Sequence, residues 1–290
     1  MVFIATIVTG KQTVLDFQTL LVSLDTFQTT PVELFVLTDS ATAPLLRKLK
    51  SRATVHLRES LNEYTGMNRQ MMEARPGNRY GTLWHHFMIE KATAMEWAFA
   101  DRAEAAAKEG VWFLDADITL LGPLPAVPAD AKLALSPHYI RVGDEKLYGK
   151  YNGGLVWTRD PSLLTVWRKA TYGSRFFEQS ALEDVAKVAA EETEGGLHEF
   201  PIQVNFGWWR LGQSPDPPNV IAERFGYRRV AGNAGITYEG QNLLSVHTHW
   251  YDGSASTKAF NDLIVKHLAL LARSHNEAKT MLAQIKKISK

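Results

Sequence analysis

Two aspartates interrupt a strongly apolar segment that runs from Val111 to Leu121. Ionised carboxylates seldom follow a buried strand unless something pairs with them, because moving a charge out of water is costly. In an extended chain Asp115 and Asp117 project to the same face, so both carboxylates can reach one point. A hard divalent cation suits that point, since Mg²⁺ or Mn²⁺ takes oxygen ligands and keeps room for substrate phosphates.

The sequence before this acid pair alternates between strand and helix patterns. Apolar runs predict strands over residues 1–10, 32–39 and 53–57, and helical periodicity predicts helices over 14–24, 43–50 and 83–100. The strand that carries the acid pair is then the fourth of an α/β series, which predicts a mostly parallel sheet with helices on both faces. Ligands bind beyond the carboxyl ends of such strands, where Thr9, Gly10 and Asp39 also fall.

After residue 121 the alternation weakens. Short strands are predicted at 132–136 and from residue 152, helices at 162–169 and 178–191, and a surface loop at 215–218. We therefore expect one domain over residues 1–257, with a nucleotide-binding half (1–121) and a less regular half (122–257) that shapes the site of a second ligand. A helical tail is expected over residues 258–290.

Composition excludes several classes of function. The net charge is +1, and no block rich in lysine or arginine occurs in the first 250 residues, so we expect no nucleic-acid partner. The chain has no cysteine, which excludes disulfides, zinc–thiolate sites and thiol nucleophiles and fits a reducing compartment such as the cytoplasm. Neither a basic leader nor a long apolar window occurs, so a soluble protein is expected.

Four segments together resemble the nucleotide-sugar glycosyltransferases of the GT-A fold, especially the glycogenin-like enzymes of family eight. They are residues 114–124 around the acid pair, 151–155 (Tyr-Asn-Gly-Gly-Leu), 177–182 (Phe-Glu-Gln-Ser-Ala-Leu) and 246–250 (Val-His-Thr-His-Trp). The resemblance implies a GT-A fold and transfer of a sugar from a nucleoside-diphosphate sugar, with a UDP-sugar favoured, to a hydroxyl of a carbohydrate or glycoconjugate acceptor. It also implies retention of the anomeric configuration.

The same resemblance implies a cation site. Asp115, Asp117 and a late histidine would hold Mn²⁺ or Mg²⁺, and the ion would stabilise the departing diphosphate as a Lewis acid. Of the two candidate imidazoles, His247 and His249, we favour His249. The reason is that Gly253 and Lys258 follow it in a loose echo of the family pattern, in which the lysine adds positive charge at the diphosphate.

Further residues are candidates for the donor and the reacting sugar. Gln179 or Glu178 could face the electron-poor sugar, and Asn152 and Gly153 resemble the segment near the donor sugar. Lys91 matches a position at which similar enzymes touch the donor, although a solvated helix face is the alternative.

Thr9 and Gly10 are expected near the base and ribose of the donor. For Asp39, simple turn chemistry is an alternative to binding. If the reaction inverted the sugar instead, Glu178 or Asp184 could deprotonate the acceptor.

The Trp208–Trp209 pair offers flat surfaces on which a sugar acceptor could stack, and core packing is the alternative. The tail is basic and amphipathic, so it could lie weakly on an anionic membrane surface or pack on its own domain. Its charged residues are Lys258, Lys266, Arg273, Lys279, Lys286, Lys287 and Lys290, against Asp262 and Glu277.

Two other functions fit parts of the sequence. Residues 113–120 also resemble the first motif of haloacid-dehalogenase-like Mg²⁺-dependent phosphatases, with Asp115 as the nucleophile and Ser136 in the second motif. Against this, about a hundred residues precede the motif, and the downstream strand ends in histidines rather than in an acidic pair. A non-catalytic carbohydrate-binding protein is a third possibility, suggested by the tryptophans.

Overall fold

The computed structural model describes residues 1–230, 234–251 and 254–288. Gly253 and Lys290 therefore lie outside the described residues. The strands are β1 (Val2–Val8), β2 (Val32–Thr38), β3 (Thr54–Glu59), β4 (Val111–Leu114), β5 (Ile118–Leu120), β6 (Leu133–Pro137), β7 (Tyr151–Thr158), β8 (Leu197–Glu199), β9 (Phe206–Gly207), β10 (Phe225–Arg228), β11 (Gly235–Tyr238), β12 (Gln241–Asn242) and β13 (Ser245–His247).

The helices alternate with these strands in the first half of the chain. They are α1 (Lys11–Phe27), α2 (Ala43–Leu46), α3 (Arg69–Glu73), α4 (Leu83–Asp101), α5 (Ala103–Glu109), α6 (Val142–Tyr148), α7 (Ser162–Thr171), α8 (Leu182–Glu192), α9 (Arg210–Gln213), α10 (Pro218–Glu223), α11 (Ala255–Leu271) and α12 (Asn276–Ile288), with 3₁₀ turns at Asn62–Tyr64 and Ile202–Val204.

A seven-stranded sheet in the order β3-β2-β1-β4-β7-β6-β8 forms the centre of the structure. The first four strands of this order are mutually parallel, whereas β7 is antiparallel to both of its neighbours. The eighth strand pairs in parallel with β6. The sheet is thus mostly parallel, as the α/β alternation predicted.

Helices cover both faces of this sheet because successive strand residues point to opposite sides. From β1, Phe3 and Ala5 pack into a core cluster with residues of α4, α7 and α8. The intervening Ile4 packs with α1 on the opposite face. Burial on both faces explains the nearly continuous apolar runs of β1 and β2.

The apolar run from residue 111 to 121 is divided between two sheets. After β4 the acid pair lies in a turn, closed by a hydrogen bond of 3.1 Å from Ile118 N to Asp115 O. The chain then enters β5, which belongs to a three-stranded sheet with β13 and β9. An extended conformation through the pair, assumed in the sequence analysis, is therefore wrong, and the turn itself determines where the two carboxylates point.

The tail forms two helices, and its apolar side is buried. Residues of α11 and α12 share a core cluster with β9, β11 and β13, against which Leu15 and Val22 of α1 pack. Lys279, Lys286 and Lys287 lie on the exposed side. Packing on the protein, one of the two alternatives for the tail, therefore accounts for its apolar residues. Within the described part of the chain, no helix has the length and apolar character needed to cross a bilayer.

Candidate active site

A cavity of about 660 Å³ opens beyond the carboxyl ends of β1 and β4. Thr9 and Gly10 line one part of it, and Asp115 and Asp117 line another, together with Lys91. This is the edge of the sheet at which the parallel topology predicted a ligand. The structure therefore brings together predicted residues that lie more than a hundred positions apart.

The two carboxylates of the acid pair line this cavity, and the imidazole of His247 lies close to them without lining it. Asp115, Asp117 and His247 each offer a ligand atom, and these atoms lie within 4.8 Å of one another. His247 Nε2 is 3.1 Å from Asp117 Oδ1 and 3.9 Å from Asp115 Oδ2. Carboxylate oxygens with one imidazole nitrogen are a donor set that a divalent cation such as Mn²⁺ accepts.

The second histidine, which the sequence analysis favoured, also contacts Asp117. His249 Nε2 is 3.4 Å from Asp117 Oδ2, and its Nδ1 is 2.9 Å from Asp16 Oδ2. Burial by itself raises the pKa of Asp117, but the adjacent His247 and His249 hold it well below its ordinary value. The two imidazoles thus share one carboxylate.

Lys91 is almost completely buried, with 3 % of its surface exposed. Its Nζ lies 3.0 Å from Glu178 Oε1, 3.1 Å from Asp115 Oδ1 and 3.0 Å from the Gly153 carbonyl oxygen. Although burial lowers the pKa of this lysine, the two carboxylates raise it above its ordinary value overall. The alternative of a solvated helix face is therefore wrong.

Glu178 and Gln179 are the two candidates for contact with the donor sugar. They lie next to the cavity but do not line it. Glu178 is 1 % exposed and ion-paired with Lys91, and burial raises its pKa. Gln179 is held in one orientation, since its Oε1 accepts from Gly153 N at 3.2 Å and its Nε2 donates to Tyr148 O at 3.0 Å. Only Gln179 is partly exposed.

The Asn-Gly-Gly start of β7 forms a close-packed wall behind the acid pair. Asn152 Oδ1 accepts hydrogen bonds from Gly154 N at 3.0 Å and Asn205 Nδ2 at 2.9 Å. A Cβ on Gly154 would lie 2.5 Å from Asp115 Oδ2 and would also overlap the His247 ring. Glycine is required here because the site residues occupy the space of a side chain.

Asp39 forms a turn, which was the alternative to direct binding. Its Oδ1 accepts from Ala41 N at 2.9 Å and its Oδ2 accepts from the Thr42 hydroxyl at 2.7 Å. That hydroxyl in turn accepts from Gly10 N at 2.8 Å. Asp39 is not among the residues that line the cavity, so it supports the Gly10 loop indirectly.

The remaining candidates are Lys258, Trp208 and Trp209. Lys258 is exposed on α11 and ion-paired with Asp262 at 2.6 Å, and it does not line the cavity. Trp209 packs against Gly207 and lies edge-on to His247, with 5.0 Å between ring centroids. Trp208 is half-buried in the core cluster of the second half. Their role as an acceptor surface stays a prediction.

Sequence reasoning missed Asp16, which lines the cavity and contacts His249. The available signal was an acid on the buried side of an amphipathic helix, between Val14 and Phe17. It also passed over Arg69 and Trp84, which line the cavity and form a cation–π pair at 5.5 Å. Neither residue stands out in the sequence, because both positions depend on the packing of α3 on α4.

No protein-family model matches the sequence, and no curated protein matches it significantly. Solved structures share its architecture at low identity. A galactosyltransferase, LgtC, in complex with donor and acceptor sugar analogues is 12% identical, with a TM-score of 0.50 over 91% of this chain and 96% of that one. Mouse xyloside xylosyltransferase 1 in its apo form is 11% identical, with a TM-score of 0.48 over 88% of this chain and 98% of that one. The chain has the fold of the GT-A glycosyltransferases.

Proposed function

We propose that this protein is a glycosyltransferase that moves a hexose or similar sugar from a nucleoside-diphosphate donor to an acceptor hydroxyl with the help of a divalent cation. One observation carries the proposal: at the end of the central parallel strand β4, Asp115 and Asp117 line a cavity with the volume of a ligand site, and an imidazole nitrogen of His247 lies within 4.8 Å of their carboxylates. A UDP-sugar is the favoured donor, and a carbohydrate or glycoconjugate is the favoured acceptor.

We assign different roles to different residues of the site. Asp115 and Asp117, with an imidazole, would hold Mn²⁺ in preference to Mg²⁺, because a nitrogen ligand suits manganese better. The bound ion would stabilise negative charge on the leaving diphosphate as a Lewis acid. Lys91 keeps Asp115 fixed and compensates the charge of Glu178. Thr9 and Gly10 would lie against the base and ribose.

Retention of the anomeric configuration is part of the proposal. An inverting enzyme needs a carboxylate free to deprotonate the acceptor. Glu178 is poorly suited to that task because it is buried and ion-paired with Lys91, and Asp184 is exposed on α8. Early products examined by proton NMR are expected to keep the donor's anomeric configuration, and an inverted centre would disprove retention alone.

Nucleotide binding tests the proposal most directly. We expect UDP with Mn²⁺ to raise the melting temperature of the wild type, and UDP without metal to raise it much less. Asp117→Asn should lose the Mn²⁺-dependent part of this shift, whereas Asp262→Asn, an exposed control, should keep it. Slow release of UDP from a UDP-sugar in Mn²⁺ should accompany binding.

Two further assays of the same purified protein distinguish a glycosyltransferase from a phosphatase and from a carbohydrate-binding protein. Release of phosphate from p-nitrophenyl phosphate would favour the haloacid-dehalogenase-like phosphatase with Asp115 as nucleophile. Sugar binding that needs neither nucleotide nor metal would favour a carbohydrate-binding protein. The side chains that the later strand β13 and the residues following it bring to Asp117 are histidines rather than the acidic pair that phosphatase chemistry needs, which argues against the phosphatase.

We also propose a cytoplasmic location, in keeping with the cysteine-free composition. Weak association with an anionic membrane through the exposed lysines of α12 stays a prediction, to be tested by sedimentation with anionic vesicles.

A further inference from the structure

The two imidazoles beside Asp117 have different surroundings, and the difference bears on their roles. A histidine that binds a metal through one ring nitrogen almost always donates the other N–H to a carboxylate, a carbonyl or a water. That partner fixes both the tautomer and the orientation of the ring. The group that contacts the second nitrogen can therefore distinguish a cation ligand from a neighbouring histidine.

His249 has such a partner. Its Nδ1 lies 2.9 Å from Asp16 Oδ2, and a proton donated to that carboxylate leaves the lone pair on Nε2. Nε2 is the nitrogen that faces Asp117, at 3.4 Å from Oδ2. The side chain is 42% exposed and lines the cavity, so an ion that also contacts substrate phosphates could reach it.

His247 differs from His249 in the surroundings of both ring nitrogens. Its Nδ1 is buried and has no hydrogen-bond partner among the described residues. As a ligand through Nε2, this ring would keep a buried N–H without an acceptor, which is costly. With the proton on Nε2 instead, His247 donates to Asp117 Oδ1 at 3.1 Å. The closeness of His247 to the acid pair therefore fits a hydrogen-bond donor as well as a ligand.

Asp16 is the unexpected member of this group. It is 2 % exposed on α1, and it accepts a hydrogen bond from a ring 233 positions away in the sequence. The neighbouring buried residues of this helix, Val14 and Phe17, are apolar. Apolar packing of the helix therefore does not explain why an acid lies at position 16. Burial raises the pKa of Asp16 to about 6, and the hydrogen bond with His249 opposes that rise.

We propose that Asp16 is a positioning residue which orients His249 as the imidazole ligand of the cation, while His247 holds Asp117 by a hydrogen bond. The inference rests on the proposed function, since it assumes that the acid pair binds a divalent cation. Through Asp16, the helix α1 would take part in the cation site although it contains neither Asp115 nor Asp117.

Mn²⁺ affinity measured without catalysis tests the assignment. Free Mn²⁺ would be followed by electron paramagnetic resonance in titrations of the wild type, with and without UDP. Asp16→Ala is expected to weaken binding by about tenfold to a hundredfold, the usual effect of losing such a partner. Asp16→Asn keeps an oxygen acceptor and should retain part of the affinity.

The matched control is Asp25→Ala, since Asp25 lies on the same helix but accepts hydrogen bonds from Ser51 and Arg52 instead. It should leave Mn²⁺ affinity unchanged. A double mutant separates positioning from general stability, because Asp16→Ala should have little further effect once His249→Gln has removed the ring. His249→Gln alters a partly exposed side chain and is expected to fold.

Three results would overturn the inference: wild-type affinity in Asp16→Ala, full additivity with His249→Gln, or a loss of binding in His247→Gln that His249→Gln does not share. These outcomes leave the proposed function intact, because the wild type would still bind the ion. A wild type that binds no Mn²⁺ even with UDP present would instead overturn the cation-dependent function and the inference together.

Discussion

Lys91 is the cation on which the buried carboxylate of Glu178 depends. Lys91→Met would leave Glu178 without its ion-pair partner, and breaking a buried pair in this way costs about 3–5 kcal/mol. We expect a loss of this size in the free energy of unfolding, measured with urea at pH 8 in the presence of a chelator. Lys91→Met with Glu178→Gln should recover most of it, since the buried side chain at position 178 then carries no charge and Asp115, the other partner of Lys91, is partly exposed.

The pH dependence provides a second check on the same pair. Burial already raises the pKa of Glu178 above its ordinary 4.5, and loss of Lys91 should raise it further. An acid with a higher pKa in the folded state binds more protons there, so the variant should lose stability as the pH rises from about 5 to 8. A difference from the wild type that does not vary with pH would contradict this interpretation.

At the scale of single residues, the sequence predicted that the carboxylates of Asp115 and Asp117 lie close together, because both residues follow an apolar strand directly, and the structure places them together. Their binding of a cation stays a prediction. Lys91 was named as a candidate for contact with the donor, but its burial could not be predicted, and Asp16 was not identified at all. Both depend on which side of α4 and α1 faces the sheet. The partner of His249 lies at the other end of the chain, beyond the reach of any spacing argument.

The start of β7 is the element that sets the spacing of the site. Gly154→Ala would bring a Cβ to 2.5 Å from Asp115 Oδ2 and against the His247 ring, so one of these side chains must move. Overpacking of this kind costs about 1–3 kcal/mol. We expect the variant to fold but to lose most of its Mn²⁺ affinity, measured by titration.

Gly212→Ala is the matched control, because nothing lies within 4 Å of the added Cβ and Gly212 is in the helix α9. It should bind Mn²⁺ like the wild type. Equal affinities in the wild type and Gly154→Ala would mean that the wall formed by β7 does not define the cation site.

At the scale of elements, periodicity predicted most of the first half of the chain. The strands β1, β2 and β4 and the helices α1 and α4 agree with their apolar patterns to within a few residues. The division of residues 111–121 into β4 and β5 was not predictable, because both halves are apolar and the change of sheet depends on pairing with β13. The tail was predicted as helical, but its interruption between residues 271 and 276 was not.

At the scale of the whole molecule, long-range pairing explains why the second half was harder to predict. One of its small sheets joins segments far apart in sequence, β5 with β13, whereas β10, β11 and β12 pair locally, and the strands of both sheets have only two to four residues. Such strands carry too few residues for a periodic pattern to be recognised. The mostly parallel central sheet could be predicted because β1, β2 and β4 are largely apolar and helices separate them along the chain.

The tail connects to the rest of the molecule through the cluster in which Met281 is fully buried and against which α1 packs. Met281→Ala is expected to cost about 2–5 kcal/mol, the usual range for a buried methionine. All 8 tryptophans precede the tail, so their fluorescence reports mainly on the unfolding of residues 1–257, although Trp250 lies in the cluster that contains Met281. If the tail and the remainder unfold together, urea transitions followed by fluorescence and by far-ultraviolet circular dichroism should shift equally in this variant. Lys286→Ala, on the exposed side of α12, should shift neither transition, and an unchanged fluorescence transition in Met281→Ala would show that the tail unfolds independently.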